Sequence, residues 1–310
     1  MGARGQSISV KQIGVNLAAE VSGLDLGQSL GEAARDTIAA AHAEHGLLLF
    51  SNQEITTDQL INFGESFGAL SVHPFAPADG ERPALIRFEN TAENPPFGTD
   101  VWHSDETFRE APPMGTMLCA KEVPELGGDT MFASMSAAYE GLSDRMRGLI
   151  SGLEAVHDLK PFRAIFSDSE DDRLLLQDYE RRFPPVTHPV VRVHPMTGRE
   201  VLFVNPQFTI AIKDMDERES RSLLETLFHQ ALIPEYQHRL SWEPNMIAFW
   251  DNRSVQHYAV HDYYPRRRVM ERVTISGDRP IGVDAADPDS VKRAKAKIAA
   301  GVAHGGHKPL

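Results

Sequence analysis

Cysteine is almost absent from this chain of 310 residues, which contains only Cys119. A single cysteine excludes an intrachain disulfide, a zinc finger and an iron–sulfur cluster held by several thiolates. Positive charge is also scarce, because 31 Lys and Arg face 44 Asp and Glu, which leaves a formal net charge of −13. Such an acidic chain repels phosphate backbones, so we expect no nucleic-acid partner. An anionic small molecule would need a local cluster of Arg or Lys.

Long apolar runs are missing as well. The most compact run, Leu47 to Phe50, is far too short to cross a bilayer, and the first ten residues contain no apolar signal core. We therefore expect a cytoplasmic protein with no membrane partner. Hydrophobic residues make up 41% and charged residues 24%, which is ordinary globular usage and argues against a disordered or fibrous chain.

The sequence predicts many short strands and a few helices that do not alternate with them. The predicted helices are 31–45, 57–67, 136–153 and one that begins at Asp216. The predicted strands are 7–13, 46–50, 84–88, 116–121, 130–133, 190–193, 200–205, 245–250 and 268–276. This pattern favours a mainly β fold with flanking helices, an antiparallel barrel or jelly roll, over a doubly wound sheet. Without a dividing linker we expect one domain at 1–280, followed by a peripheral appendage at 281–310.

His103 and Asp105 form the most informative local pattern. In a strand, residues two apart point to the same face, so this pair could present an imidazole and a carboxylate together. His257, in a later polar segment that we expect to form a loop, is a candidate third ligand. Two His and one carboxylate with open positions opposite are the ligand set of non-heme Fe(II) oxygenases. The dipeptide spacing alone is common, and by itself it is better explained by a surface or capping pair.

Arg268 and Arg272 lie four residues apart in an alternating segment, which places both on one face of a strand. A guanidinium suits bidentate binding of a carboxylate or sulfonate. Two inward-facing arginines would be costly to bury without anionic partners. The alternative is a solvated basic patch with Arg266 and Arg267, and these residues alone do not decide between the two.

Four motifs carry a resemblance to a known family. They are WHSDETF at 102–108, GGDT at 127–130, LFVN at 202–205 and WDNRSVQHYAVHDYYPRRRVMERVTI at 250–275. Their order and long spacing resemble the 2-oxoglutarate-dependent dioxygenases of the taurine dioxygenase and dichlorophenoxyacetate dioxygenase family, over about residues 7–280. The segments HPFAP and GLEAVHDL are similar to the taurine dioxygenase side. The resemblance implies a double-stranded β-helix (jelly-roll) core, Fe(II), 2-oxoglutarate as co-substrate, O₂, and a dimer or tetramer.

The resemblance also implies a role for individual positions. His103, Asp105 and His257 would bind the iron, while Arg268 with Thr130 would hold the distal carboxylate of 2-oxoglutarate. The implied substrate-binding residues are His73, Thr99, Phe208 and Arg272, the last for an anionic group.

Two positions depart from the taurine enzyme. Ala76 replaces a tyrosine and Thr99 replaces an asparagine, which enlarges the pocket and changes its hydrogen-bond donors. We therefore expect a small anion that is longer, bulkier or less polar than taurine, such as a sulfonate, a sulfate ester or an aryloxyalkanoate. Hydroxylation next to the heteroatom group would release that group together with an aldehyde or ketone, and the co-substrate would leave as succinate and CO₂.

Two other functions would explain only some of these residues. A zinc hydrolase could use two His and one Asp to activate water, but it leaves Arg268 and Thr130 unexplained. A non-catalytic jelly-roll module that binds an anionic metabolite would need no His–Asp–His set. His261, four residues after His257, is expected to have a packing or surface role.

Overall fold

The computed structural model describes residues 8–74, 82–159 and 169–285. These residues form a mainly β structure with helices, which confirms the predicted composition of the fold. The helices are α1 Glu32–His45, α2 Thr57–Glu65, α3 Met135–Glu140, α4 Asp144–Ile150, α5 Glu170–Arg182 and α6 Glu217–Phe228, with short 3₁₀ turns at His229–Leu232, Pro234–Tyr236 and Val283–Ala285. The strands are β1 Ser9–Gln12, β2 Ala19–Ser22, β3 Leu47–Phe50, β4 Leu85–Asn90, β5 Gly115–Glu122, β6 Thr130–Ser134, β7 Glu154–His157, β8 Val186–Pro189, β9 Val191–Val193, β10 Glu200–Leu202, β11 Thr209–Ile212, β12 Gln237–Leu240, β13 Ile247–Asp251, β14 Val255–Ala259 and β15 Arg268–Ile275.

The largest sheet has seven strands in the order β1-β2-β3-β13-β5-β15-β4. Its neighbouring strands are antiparallel except for the parallel pair β2 and β3. The central strands of this sheet carry apolar side chains on both faces, and other elements cover each face. One face packs against α1 and α2 through residues such as Ile38 and Leu60. The other face contributes Leu118 and Trp250 to a cluster with Phe132 of β6.

Three smaller sheets complete the β structure of the described residues. Their strand orders are β12-β6-β14, β11-β7-β8 and β10-β9. The sheet β12-β6-β14 faces the large sheet, and its register pairs His257 with Phe132. This arrangement matters for the site because β14 carries His257 between the two layers. None of the described helices is long and apolar enough to span a membrane.

Two local predictions are wrong. The predicted helix 136–153 is two helices, because α3 ends at Gly141 and the Ser143 side chain accepts a hydrogen bond from the Met146 amide to begin α4. Tyr236 packs so closely on Gly141 that a Cβ there would lie 1.8 Å from its hydroxyl oxygen. The segment around His257, expected as a loop, is the strand β14. Most of the predicted appendage lies beyond residue 285, outside the described residues.

Candidate active site

Three side chains that can bind a metal converge where β14 meets a turn at 105–108. His103 Nε2 lies 3.8 Å from Asp105 Oδ1, and His257 Nε2 lies 4.0 Å from the same oxygen. One ligand atom from each residue falls within 4.8 Å of the others, and all three residues are buried. The structure therefore brings together the two His and one Asp that the sequence analysis selected.

The local backbone at this site differs from the expected strand. Only His103 is paired, in an isolated antiparallel bridge with His257, and the chain then turns at 105–108. Strand alternation therefore does not place Asp105 beside His103. The turn places Asp105 there, and side chains from distant parts of the chain aim its carboxylate.

Hydrogen bonds orient the Asp105 carboxylate. Thr116 Oγ1 donates to Oδ2 at 2.5 Å, and Asn252 Nδ2 donates to the same oxygen at 3.3 Å. The Asn252 side-chain oxygen in turn accepts from the Asp105 amide at 3.2 Å and from Trp250 Nε1 at 3.0 Å. Because Oδ2 is held in this way, Oδ1 remains to face the two imidazoles.

The charge states suit metal binding. His103 Nδ1 lies 2.7 Å from the Val101 carbonyl oxygen, so it donates there and its Nε2 lone pair is available. Burial lowers the pKa of His103, and burial together with the nearby His103 lowers the pKa of His257 to about 3. Burial opposes ionisation of Asp105, but Arg272 and the two imidazoles hold its pKa below the ordinary value. Two neutral imidazoles and one carboxylate are a donor set that fits Fe(II).

Arg268 lines the same pocket as His103 and His257, and its Nε is an unused hydrogen-bond donor. It is buried, and its guanidinium carbon lies 5.6 Å from the Tyr263 ring centre and 6.0 Å from the Trp242 ring centre. Its Nε has no hydrogen-bond partner among the described residues. Trp242 Nε1 donates to Thr130 Oγ1 at 2.9 Å, which leaves the Thr130 hydroxyl hydrogen free to donate. Burial lowers the pKa of Arg268, but a guanidinium stays protonated at neutral pH.

The two glycines of the GGDT motif make room for this arginine. Gly128 has a φ of +76°, and a Cβ there would lie 3.3 Å from Cδ and Nε of Arg268. Gly127 has a φ of +82°, and a Cβ there would lie 2.7 Å from Oδ1 of Asp262. That oxygen accepts a hydrogen bond from the Gly128 amide at 2.8 Å, which secures the turn under the guanidinium.

An open pocket with about 710 Å³ of empty volume joins the metal-binding cluster to Arg268. It is lined by Phe88, Asn90, Pro96, Phe97, Thr99, His103, Leu118, Thr130, Trp250, His257, Ala259, Val260, His261, Tyr263, Arg268 and Arg272. Thr99 Oγ1 lies 2.9 Å from His261 Nε2. His261, for which the sequence favours a packing or surface role, thus lines the pocket.

Arg272 lies at the other side of the cluster among charged groups. Its Nη1 is 3.4 Å from Asp105 Oδ1, and its Nη2 is 3.6 Å from Glu106 Oε1. Glu106 also forms an ion pair with Arg109. Burial raises the pKa of Glu106, against the opposing effect of the two arginines. Burial, with a further contribution from Arg272, lowers the pKa of partly buried His73 to about 3.

Phe208 contacts the metal-binding cluster from behind the pocket. It is 2% exposed, and its ring packs edge-on to His103 at 6.2 Å and to Phe108 at 5.3 Å. The structure thus places Phe208 against a candidate ligand. Ala76, one of the two departures from the taurine enzyme, lies outside the described residues.

The family model for the taurine catabolism dioxygenase TauD, TfdA family matches residues 9–274. The chain belongs to this family. It is 33% identical over 283 residues to the alpha-ketoglutarate-dependent sulfate ester dioxygenase of Pseudomonas putida, with 89% of this chain and 92% of that protein covered. It is 32% identical over 295 residues to the alpha-ketoglutarate-dependent sulfonate dioxygenase of Saccharomyces cerevisiae, with 88% and 68% covered.

Solved structures support the same membership. The crystal structure of a taurine dioxygenase from Burkholderia xenovorans superposes with a TM-score of 0.76 at 32% sequence identity. The match covers 94% of this chain and 99% of that one. The resemblance stated from sequence motifs is therefore confirmed at the level of the TauD, TfdA family.

Sequence reasoning missed three residues of the site in this family member. Glu106 is the next residue after the candidate ligand Asp105. In a strand its side chain would point to the opposite face from Asp105, so its position in the sequence gave no reason to select it. Thr116 and Trp242 carry no local signal. Their contacts depend on which strands are neighbours, as in the register that pairs Thr116 of β5 with Trp250 of β13.

Proposed function

We propose that this chain is an Fe(II)- and 2-oxoglutarate-dependent dioxygenase that hydroxylates a small anionic substrate next to a heteroatom group. The observation that carries the proposal is the shared pocket. Ligand atoms of His103, Asp105 and His257 lie within 4.8 Å of one another, and Arg268 lines the same cavity as the two histidines. A zinc hydrolase needs no buried guanidinium opposite its metal, whereas a dicarboxylate co-substrate does.

In the proposed mechanism, His103, Asp105 and His257 would hold Fe(II). When bound, Fe(II) with 2-oxoglutarate and O₂ supplies the C–H hydroxylating chemistry, and the co-substrate leaves as succinate and CO₂. Arg268 would pair with the distal carboxylate of 2-oxoglutarate, and the Thr130 hydroxyl would donate to it. The neutral His103 offers a lone pair at Nε2 because its Nδ1 donates to Val101, and the ionised Asp105 offers Oδ1 because Oδ2 is already hydrogen-bonded.

The substrate's anionic group would bind Arg272. Nε and Nη2 of this partly buried side chain have no hydrogen-bond partner among the described residues, so they can donate to a sulfonate, sulfate or carboxylate. Phe88 and Phe97 line the pocket with apolar surface, which would suit a substrate that is longer or less polar than taurine. We therefore favour an alkyl sulfonate, an alkyl sulfate ester or an aryloxyalkanoate. Anchoring at Arg272 would position the carbon next to the heteroatom for hydroxylation.

The finer features of the fold belong to the same proposal. We infer a double-stranded β-helix core, a single domain over 1–280 and an appendage over 281–310. We also infer a homodimer or homotetramer. The layering of the large sheet against β12-β6-β14 supports the core assignment.

Succinate formation tests the proposed function. Purified protein with Fe(II), 2-oxoglutarate and O₂ is offered taurine, longer alkyl sulfonates, alkyl sulfate esters and phenoxy acids. We expect succinate to form in proportion to an aldehyde or ketone, with taurine less active than longer or bulkier anions. Clear preference for taurine would contradict the substrate class.

The same assay separates the alternatives. A zinc hydrolase would bind zinc and release product without consuming 2-oxoglutarate or O₂. A non-catalytic binding module would bind an anion without succinate formation, and His103→Ala would leave its affinity for that anion unchanged.

A further inference from the structure

Glu106 is a carboxylate buried beside the arginine to which we assign the substrate's anionic group. It is 3% exposed and follows Asp105 directly in the chain. Its Oε1 lies 3.6 Å from Arg272 Nη2, and its Oε2 forms an ion pair with Arg109 Nε. Neither oxygen has a hydrogen bond of good geometry from a described residue. Burying a carboxylate is costly, and two guanidinium groups offset that cost here.

The backbone holds Glu106 in this position. Its φ is +48°, in the left-handed region that residues other than glycine and asparagine rarely adopt. The flanking residues are fixed from both sides. Asn252 accepts a hydrogen bond from the Asp105 amide, and His188 Nε2 lies 2.9 Å from the carbonyl oxygens of both Thr107 and Arg109. The turn thus points Glu106 and Asp105 toward the same guanidinium, whereas an extended chain would separate them.

The side chains of Glu106, Arg109 and Arg272 together carry one net positive charge. Arg109 and Arg272 contribute two positive charges and Glu106 removes one, while the charge of Asp105 is assigned to the metal. One net positive charge remains for the substrate. A sulfonate, sulfate ester or carboxylate carries one negative charge. A phosphate monoester carries about −1.5 to −2 at pH 7, so it would place additional negative charge next to Glu106.

We propose that Glu106 is a specificity-determining residue that restricts the substrate's head group to a monoanion. The proposal rests on the proposed function, in which Arg272 holds that head group. Glu106 takes one side of the Arg272 guanidinium and balances Arg109. The free donors of Arg272 can therefore bind a head group with one negative charge. A second negative charge on that head group would be repelled by Glu106.

Hexyl sulfate and hexyl phosphate test this, because they share size and tetrahedral shape but differ by about one charge at pH 8. Their dissociation constants are measured by anaerobic calorimetry on protein loaded with Fe(II) and 2-oxoglutarate. We expect the unaltered protein to bind the sulfate at least tenfold more tightly. Glu106→Gln, which keeps the shape and removes the charge, should reduce this preference at least tenfold. No preference in the unaltered protein, or the same preference in Glu106→Gln, would overturn the proposal.

Two further variants keep the test decisive. Glu110→Gln removes an exposed carboxylate of the same segment, paired with Arg279 at 3.1 Å, and should leave the preference unchanged. Arg109→Gln removes a positive charge and should increase the preference for the sulfate, the opposite sign to Glu106→Gln. If thermal unfolding shows that Glu106→Gln does not fold, Arg109→Gln alone tests the role of Glu106. In that case, a preference for the sulfate in Arg109→Gln equal to that of the unaltered protein would overturn the proposal.

Succinate formation by the unaltered protein separates this proposal from the proposed function. No succinate with any member of the sulfonate, sulfate ester and phenoxy acid panel would refute the proposed function. Succinate formation with an unaltered preference in Glu106→Gln would refute only the role of Glu106.

Discussion

The backbones of His103 and His257 are joined by two reciprocal hydrogen bonds. The His103 amide donates to the His257 carbonyl at 3.0 Å, and the His257 amide donates to the His103 carbonyl at 2.8 Å. The two ring centres lie 4.1 Å apart as a result. Because one bridge fixes both backbones, residues far apart in the sequence present their imidazoles to the same carboxylate oxygen. Disturbing any side chain of this cluster should therefore affect metal binding before it affects the fold.

Removing one imidazole tests the metal site directly. We expect His257→Ala to weaken Mn(II) binding by more than about 100-fold, since even residues that only support a metal ligand change affinity by about 10- to 100-fold. Calorimetric titration with Mn(II), which avoids oxidation of the metal, measures this. His261→Ala, which alters the same pocket without removing a proposed ligand, should bind Mn(II) within threefold of the unaltered protein. Equal losses in both variants would contradict the assignment.

Arg268→Gln should weaken 2-oxoglutarate binding by about 30-fold or more. Removing one partner of a buried charge pair costs about 2–5 kcal/mol. The measurement is anaerobic titration of the metal-loaded protein with 2-oxoglutarate. Arg267→Gln is the matched control, because Arg267 is exposed and pairs with Glu89 and Glu122 instead of facing the pocket. An Arg268→Gln affinity close to that of Arg267→Gln would show that the co-substrate binds elsewhere.

Thr116→Val should lower metal affinity by about 10-fold or more without removing a ligand. Valine keeps the shape of threonine but cannot donate to Asp105 Oδ2, so the carboxylate loses the hydrogen bond at 2.5 Å that turns Oδ1 toward the imidazoles. Mn(II) titration gives the affinity, and thermal unfolding checks that the fold is retained. The exposed Thr226→Val serves as the control for the same chemical change. Unchanged affinity in Thr116→Val would show that the turn alone aims Asp105.

Acid should destabilise the fold through buried His42. Burial, against the attraction of Asp251, lowers the pKa of His42 from 6.5 to about 4, and its ring stacks on Phe249 at 3.8 Å. The unfolded chain therefore binds the proton more tightly between these pH values. The contribution of His42 to the free energy of unfolding is fully present above pH 6.5 and is lost as the pH falls toward 4. The loss from this one group amounts to ~3 kcal/mol.

Urea unfolding between pH 4.5 and 7.5 measures this dependence. His42→Gln removes the titrating ring, so its free energy of unfolding should depend less steeply on pH. His229→Gln, at an exposed position, should keep the original slope. The idea fails if both variants show the slope of the unaltered protein.

Local pattern was sufficient for a large part of the fold. The apolar run Leu47–Phe50 and the alternating run Arg268–Ile275 are strands as predicted, because hydrophobic periodicity is a local property. The strand Val255–Ala259 was not predicted. Gln256 and His257 are unusually polar for a buried strand, and the pairing of this strand with β6 depends on contacts between distant segments. The helix break at Gly141 was missed for a similar reason, since the close approach of Tyr236 comes from another part of the chain.

What the sequence by itself determined is the chemical inventory and the family: the order and spacing of four motifs carried the resemblance, and the resemblance selected His103, Asp105, His257 and Arg268. Only the tertiary structure decided how they act together. The direction of the Asp105 carboxylate depends on Thr116 and on backbone dihedral angles in a turn. The placement of Glu106 against Arg272 depends on one left-handed residue. Such features arise from strand register and long-range hydrogen bonds, which no local pattern of residues encodes.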